Sequence, residues 1–133
     1  MSNPPKLFRV LLEVEGLDAA TAFYGHLLGI EGRKIGGGRS YFDCGPVIVG
    51  LVDVASGKRK AASAPQCLYF AVADLEPLYE RARELGCLSK EDVHGEPAGK
   101  IVFRPWGERC FYAEDPFGNG LCFSDEKTLF NGR

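Results

Sequence analysis

At 133 residues, the chain has the length of one ordinary domain, and its 45% hydrophobic content is enough to form a core. The net charge is −2, and the one basic cluster, at residues 58–60, lies in a stretch of small and turn-forming residues, which argues against nucleic-acid binding. No apolar run approaches the roughly 20 residues of a membrane span, so the sequence predicts no membrane partner.

The cysteine content argues against a secreted, disulfide-bonded protein. The number of cysteines is odd, their spacing shows no pairs, and no apolar leader follows Met1. We therefore expect a reduced, cytoplasmic protein. The five cysteines are Cys44, Cys67, Cys87, Cys110 and Cys122.

The first half of the chain predicts a strand, a helix and three short strands. Apolar and polar residues alternate over residues 7–14, with one face predicted to join the core: Phe8, Val10, Leu12 and Val14. From about Leu17 the apolar residues recur at helical spacing, and Gly29 is placed to end the helix. Glycine-containing turns then separate predicted strands at residues 33–35, 40–44 and 47–53.

After a linker at residues 55–65, the same order begins again. Alternation over residues 67–72 predicts a strand, and a helix follows with Asp74 as its N-cap and Gly86 at its end. One strand between residues 87 and 103 is not placed more closely. Two apolar runs at residues 110–113 and 121–123 flank a turn-forming segment, which predicts a closing hairpin.

Short motifs repeat between the two halves at nearly the same offset. Val14-x-x-Leu17 recurs as Val72-x-x-Leu75, and Leu28-Gly29 recurs as Leu85-Gly86. The sequence therefore predicts two copies of one βαβββ unit.

Three segments resemble the vicinal oxygen chelate superfamily, which contains glyoxalase I, extradiol dioxygenases, fosfomycin-resistance enzymes and metal-free bleomycin-resistance proteins. They are the hairpin turn with Asp-Pro-x-Gly-Asn-x-Leu at residues 115–121, the helix motif Phe-Tyr-x-x-x-Leu-Gly at residues 23–29, and Pro-Trp-Gly at residues 105–107. The resemblance spans nearly the whole chain. Within the superfamily, the chain is most similar in kind to the metal-free bleomycin-resistance proteins.

The resemblance implies an α+β fold within one domain over residues 1–133. Two tandem βαβββ modules, at about residues 6–54 and 66–125, would form a curved eight-stranded mixed sheet. That sheet would make a cup, with the helices on its convex side and a ligand site on its concave side. Residues that alternate with the core face would then point into the cup, and the resemblance also implies a homodimer.

The positions equivalent to the superfamily's metal ligands carry unsuitable residues. Superfamily metalloenzymes bind a divalent ion with His, Glu or Gln. A guanidinium repels a cation, so Arg9 argues most strongly against such a centre. We predict no metal and no cofactor, and we interpret His26 and His94 as surface residues. The four equivalent positions are Arg9, Gly50, Cys67 and Cys122.

Cys67 and Cys122 allow two interpretations. Two converging thiolates could bind a soft metal or attack an electrophile, and a neighbouring Arg9 would lower their pKa values. Free cysteines are also common small hydrophobic fillers of protein cores.

The residues predicted to face the cup combine aromatic rings with a few polar groups, which suits a small organic ligand of anionic or aromatic character. Trp106 either closes over the ligand or plugs the end of the core. The predicted ligand-binding residues are Arg9, Leu11, Glu13, Cys67, Tyr69, Trp106, Cys110, Tyr112, Cys122 and Ser124.

The favoured function is metal-independent binding or sequestration of a drug or metabolite, as in antibiotic-resistance proteins that bind without chemistry, and no catalytic residue is assigned. The alternative is an enzyme: a glyoxalase-like lyase, a dioxygenase with a non-standard metal site, or a thiol-dependent enzyme using Cys67 or Cys122. Fold resemblance alone does not choose between them.

Overall fold

A computed structural model describes residues 3–132, apart from the side chain of Ser56. These residues divide into two compact units whose boundary lies between Ala62 and Ser63, and we call them module one and module two. Within residues 3–132, no helix is both long enough and apolar enough to cross a membrane.

Module one has the predicted order of strand, helix and three strands. Its sheet has the strand order β1-β4-β3-β2, in which β1 and β4 are parallel and the other neighbours are antiparallel. The elements are β1 (Arg9–Val14), α1 (Leu17–Leu28), β2 (Arg33–Ile35), β3 (Arg39–Cys44) and β4 (Val47–Asp53).

Helix α1 covers one side of this sheet. Its buried residues Ala20, Tyr24 and Leu27 recur at helical spacing, and the Tyr24 ring lies 6.2 Å from that of Phe42 on β3. The helix ends as predicted at Gly29, which has a φ of 71° and donates its N–H to the Gly25 carbonyl. The sheet also anchors the start of the helix, because the carboxylate of Asp53, at the end of β4, accepts the Leu17 N–H at 3.1 Å.

Module two repeats this topology with a longer connection after its helix. Its main sheet has the order β5-β10-β9-β8, again with the first pair parallel, and β6 and β7 form a separate two-stranded ribbon. The α+β class and the duplicated βαβββ module are thereby confirmed. The elements are β5 (Leu68–Val72), α2 (Leu75–Glu84), β6 (Asp92–Val93), β7 (Glu96–Pro97), β8 (Val102–Phe103), β9 (Arg109–Glu114) and β10 (Gly120–Asp125).

Three phenylalanine rings fill the core of module two. Phe123 on β10 lies 5.1 Å from Phe70 on β5 and 5.4 Å from Phe111 on β9, measured between ring centroids. Tyr79 of α2 meets Phe111 edge-on at 5.2 Å. The helix therefore packs on the phenylalanine side of the sheet.

The predicted hairpin closes through side chains of its own turn. The buried Asp115 carboxylate accepts the N–H groups of Phe117 and Asn119 at 2.8 and 2.9 Å, and the Asn119 side-chain amide at 2.8 Å. The Asn119 side-chain oxygen Oδ1 accepts the Ala64 N–H at 2.6 Å, which ties the turn to the chain entering β5. Gly118 has a φ of 85°, a value that L side chains rarely adopt.

Three details differ from the sequence-based predictions. Phe8 was predicted to join the core, yet it is 57% exposed and its ring packs under the Arg9 guanidinium, 4.9 Å away, before β1 begins. Asp74 occupies the N-cap position of α2 but makes no capping hydrogen bond with its side chain. The strand that the sequence left unplaced is β8, which is only two residues long and therefore leaves little periodic signal.

Candidate functional site

In each module, one side of the sheet lies away from the helix, and we call it the helix-free face. In module two, the strand register places Tyr69, Cys122 and Tyr112 side by side on this face. The next row pairs Ser124 with Cys110. Alternation explains the arrangement, because the phenylalanines of the core occupy the intervening positions. Five of the predicted ligand-binding residues are thus brought together.

These five residues differ in their access to solvent. The Tyr69 side chain is 65% exposed and meets the half-buried Tyr112 ring edge-to-face, with centroids 6.5 Å apart and ring planes at 82°. Cys110, Cys122 and Ser124 are fully buried. The aromatic pair is therefore the accessible part of the row.

A buried arginine that the sequence did not single out adjoins this face. Arg104 is 3% exposed, and its guanidinium lies 5.3 Å from the centre of the Tyr112 ring. It donates to the backbone carbonyls of Ala98 at 3.2 Å and Lys100 at 3.1 Å, and more weakly to those of Pro97 and Cys110, while its Nε has no partner. Within residues 3–132, no carboxylate forms an ion pair with it.

The thiol acidities bear on the two interpretations of Cys67 and Cys122. The reactive-thiolate interpretation requires lowered pKa values, but burial raises the pKa of Cys67 to about 11, and interaction with the Cys110 thiol together with burial raises the pKa of Cys122. The lowered pKa belongs to Cys110, because the Cys122 thiol and the Arg104 guanidinium stabilise its thiolate. At Cys67, burial and the neighbouring Cys110 both raise the pKa, and the thiol donates to the Leu68 carbonyl oxygen at 3.6 Å.

Module one carries a different row on its helix-free face. The register aligns Leu11, Gly50 and Tyr41 there. A Cβ at Gly50 would lie 2.6 Å from Leu11 Cδ2 and 3.0 Å from Tyr41 Cε1, so these two side chains close over the glycine. Arg9 is exposed on the same face, with its guanidinium 5.5 Å from the centre of the Tyr41 ring.

Glu13, the third predicted site residue of β1, is engaged within its own module. Its carboxylate accepts hydrogen bonds from both terminal nitrogens of Arg59, at 2.6 and 2.9 Å, and from the Ala62 N–H at 3.0 Å. The Arg59 hydrogen bonds hold the pKa of Glu13 below its ordinary value. This contact ties the segment after β4 to β1.

Trp106 lies in the tight turn between β8 and β9. Its Nε1–H donates to Glu108 at 2.8 Å, and its ring meets that of His94 edge-on at 5.5 Å. His94 is exposed and has a φ of 51°. The two proposed roles of Trp106, as a lid or as a plug, both stay predictions.

A family profile decides the identity of the fold. The profile of the Glyoxalase/Bleomycin resistance protein/Dioxygenase superfamily matches residues 6–123. The chain belongs to this superfamily. The resemblance inferred from the hairpin, the first helix and the Pro-Trp-Gly segment is therefore confirmed.

Solved structures of superfamily members and related proteins share the fold at low sequence identity. A glyoxalase/bleomycin resistance protein from Albidiferax ferrireducens T118 is 21% identical, with a TM-score of 0.73 over 90% of this chain and 98% of that one. Oxidase ChaP-H2 is 25% identical, with a TM-score of 0.72 over 91% and 93%. A lactoylglutathione lyase from Agrobacterium tumefaciens is 25% identical, with a TM-score of 0.63 over 95% and 97%. No curated protein matches the chain significantly.

The donor set at the superfamily's metal positions does not fit an oxygen-chelating centre. Arg9 carries a positive charge, and Gly50 has no side-chain donor and lies under two hydrophobic side chains. Cys67 and Cys122 offer soft sulfur, which such metals disfavour. Within residues 3–132, no three His, Cys, Asp or Glu side chains form a group that could hold a metal ion.

Two residues of the helix-free faces were missed by sequence analysis. Tyr41 occupies the position in module one that Tyr112 occupies in module two, so the internal repeat could have revealed it. Arg104 gave no such signal, since it follows a two-residue strand and its burial depends on carbonyls from residues 97–100.

A surface cleft lies elsewhere in module two, at the end of α2. It mixes cationic and acidic side chains, including Arg83, Lys90 and Asp92. Arg83 is already paired with Glu80 at 2.6 Å. The cleft therefore offers no net charge pattern or buried unpartnered group that would indicate a ligand.

Proposed function

We propose that the protein binds a small organic molecule without using a metal, and that the helix-free face of module two contributes to the site. The main support is the row formed by Tyr69, Cys122 and Tyr112, in which the Tyr69 side chain is 65% exposed. Two rings held at a right angle offer both a face and an edge to an aromatic ligand. The neighbouring hydroxyls supply hydrogen bonds, and the apolar thiols between them limit hydration.

The charge on module one, taken by itself, supports an anionic group on a ligand bound at the helix-free face of that module. Arg9 is an exposed cation on the helix-free face of module one, where it lies over the Tyr41 ring, and within residues 3–132 it forms no ion pair with a carboxylate. A guanidinium of this kind suits a planar carboxylate through two parallel hydrogen bonds. We therefore favour aromatic carboxylates over aromatic amines, and the ligand class could include a drug or a metabolite.

The test is a ligand screen with matched variants. Aromatic carboxylates and their neutral amides are titrated into the purified chain, and binding is followed by calorimetry. Tyr69→Ala should weaken binding by roughly 10-fold or more, the value of one aromatic contact of about 1.4 kcal/mol or more. Phe103→Ala is the control, because Phe103 is 66% exposed but lies on the helix side of the same sheet. Equal losses from both variants would contradict the proposed face.

A second pair of variants tests the contribution of Arg9. Arg9→Gln should weaken the carboxylates but leave the amides unchanged. Lys34→Gln removes a charge from the opposite side of the module-one sheet, where Lys34 pairs with Asp18, and should affect neither class. A preference for amides in the unmodified protein would overturn the anionic assignment.

A second candidate is an enzyme, favoured by the 25% identity to a lactoylglutathione lyase and to an oxidase. It is tested by elemental analysis of protein purified without chelators, combined with an assay for lactoylglutathione formation. About one equivalent of a divalent metal together with turnover would replace the binding proposal. Metal-free protein that binds an aromatic carboxylate without changing it would support the binding proposal.

We also propose that the protein acts as a homodimer in the cytoplasm. All five cysteines are free thiols, as expected in a reducing compartment. Leu7 and Phe8, exposed by 68% and 57%, offer apolar surface to a second copy. Sedimentation equilibrium at micromolar concentration should give twice the 14.5 kDa chain mass. A monomer that nevertheless binds ligand would remove the dimer from the proposal.

A further inference from the structure

Arg104 is a buried cation on the helix-free side of module two that the proposed function does not use. Val102 pairs with Cys110, and Arg104 follows Val102 by two residues, so alternation places both on the helix-free side. The Arg104 N–H continues the ladder by donating to the Glu108 carbonyl at 2.8 Å. The guanidinium lies over the Tyr112 ring, 5.3 Å from the ring centre, which agrees with this placement.

The hydrogen bonds of this guanidinium leave one of its donors without an acceptor. A guanidinium carries five N–H groups and accepts no hydrogen bond. Nη2 has four backbone carbonyls at 3.1–3.4 Å, and Nη1 has one at 3.5 Å. Within residues 3–132, the buried Nε has no partner. The carbonyls belong to Pro97, Ala98, Lys100 and Cys110.

The positive charge of Arg104 also lacks an anionic side chain. The residue is 3% exposed, and within residues 3–132 no carboxylate forms an ion pair with it. The surrounding carbonyl dipoles offset part of the cost of burying a cation, but a buried charge is stable chiefly when it is paired. An anion that accepts the Nε–H would satisfy the donor and balance the charge together.

Tyr112 stands between this cation and the exposed aromatic ring. The strand order β5-β10-β9-β8 puts Tyr69 and Arg104 on opposite flanks of Tyr112. The Tyr112 ring centre lies 6.5 Å from that of Tyr69 and 5.3 Å from the guanidinium. A flat ligand beside Tyr112 can therefore contact the rings with its apolar part and the guanidinium with a charged end. One carboxylate balances one guanidinium, so the matching ligand carries a single negative charge.

We propose that Arg104 and the Tyr112 ring form a subsite for the carboxylate of an aromatic monocarboxylate, with benzoate as the probe of this class. The Arg104 Nε–H donates to a carboxylate oxygen, and the Tyr112 ring contacts the plane of the ligand. No covalent bond forms or breaks. The inference rests on the proposed function for the aromatic part of the ligand. It does not depend on Arg9 in module one.

Calorimetric titrations of the full chain with benzoate, benzamide and acetate test the subsite. Arg104→Lys keeps a positive charge but removes the Nε–H, so it should weaken benzoate binding by about 10–100-fold and leave benzamide unchanged. Arg109→Lys is the matched control and should change neither, because Arg109 pairs with Glu76 of α2 and with Asp125. Equal losses of benzoate and benzamide in Arg104→Lys would overturn the subsite, since they would show that Arg104 only holds residues 97–100 in place.

Nitrogen-15 NMR of the unmodified chain keeps the test valid even if Arg104→Lys unfolds. The Arg104 Nε–H resonance should shift saturably with benzoate and with acetate, but not with benzamide. No shift with either carboxylate, or an equal shift of the Arg109 Nε–H, would overturn the subsite.

The same titrations separate this inference from the proposed function. If acetate and benzoate shift the Arg104 resonance with equal affinity, and Tyr69→Ala changes neither, the subsite stands and the aromatic site is refuted. If Tyr69→Ala weakens benzoate and benzamide alike while the Arg104 resonance never moves, the aromatic site stands and the subsite is refuted.

Discussion

The two modules share a backbone plan but differ in the middle row of their helix-free faces. In module one this row is Leu11, Gly50 and Tyr41, and the glycine is closed over by its neighbours. In module two the equivalent row is Tyr69, Cys122 and Tyr112, where a thiol fills the central position. The same backbone plan therefore carries different side-chain chemistry on the helix-free faces of the two modules.

The largest expected effect on stability lies on the helix side of the module-two sheet. Phe123→Ala removes the central ring between Phe70 and Phe111 and should lower the unfolding free energy by about 3–5 kcal/mol. Urea unfolding of the whole chain measures this loss. Phe103→Ala, at a 66% exposed position, should stay within about 0.5 kcal/mol. Similar losses from both variants would mean that the ring cluster does not form the core of module two.

The glycine of module one provides the next test. Gly50→Ala places a Cβ 2.6 Å from Leu11 Cδ2, and the overpacking should cost about 1–3 kcal/mol. Adding Leu11→Ala makes room, so the double variant should be more stable than the sum of the single losses predicts. A double-mutant cycle should show a coupling of about 0.5–3 kcal/mol. Strictly additive losses would show that Leu11 does not close over Gly50.

The smallest effect concerns how the two helices begin. Asp53 accepts the first N–H groups of α1, whereas Asp74 makes no capping bond at the start of α2. Asp53→Ala should therefore cost about 1 kcal/mol at neutral pH, and Asp74→Ala should cost less than about 0.5 kcal/mol. Equal costs measured by urea unfolding would show that both helices start in the same way.

The pH dependence of this contribution has a defined sign. Hydrogen bonds from the Ala55 N–H and from the start of α1 hold the pKa of Asp53 below its ordinary 3.8. A lowered carboxyl pKa stabilises the folded state above the ordinary value, and the contribution disappears as the pH falls through the folded value. The stability gap between the unmodified chain and Asp53→Ala should therefore narrow when unfolding is measured at about pH 3 instead of pH 7. A constant gap would contradict the carboxylate cap.

Periodicity predicted most of the fold because each module is built from local patterns. Two helices, Leu17–Leu28 and Leu75–Glu84, and the six strands of five or more residues follow from the spacing of apolar residues. The two-residue strand β8 was expected between residues 87 and 103 but could not be placed, since so short a segment carries no period. Phe8 was assigned to the core by alternation alone, which takes no account of where the helix-covered surface ends.

The sequence by itself determined the duplicated module, the superfamily and the alternation that places Tyr69, Cys110, Tyr112, Cys122 and Ser124 on one face, because these depend on short-range order along the chain. Only the tertiary structure decided which thiol carries the lowered pKa and where the buried positive charge lies. Those properties arise from burial and from contacts between distant segments, such as Arg104 beside Cys110, and no local pattern in the sequence specifies them.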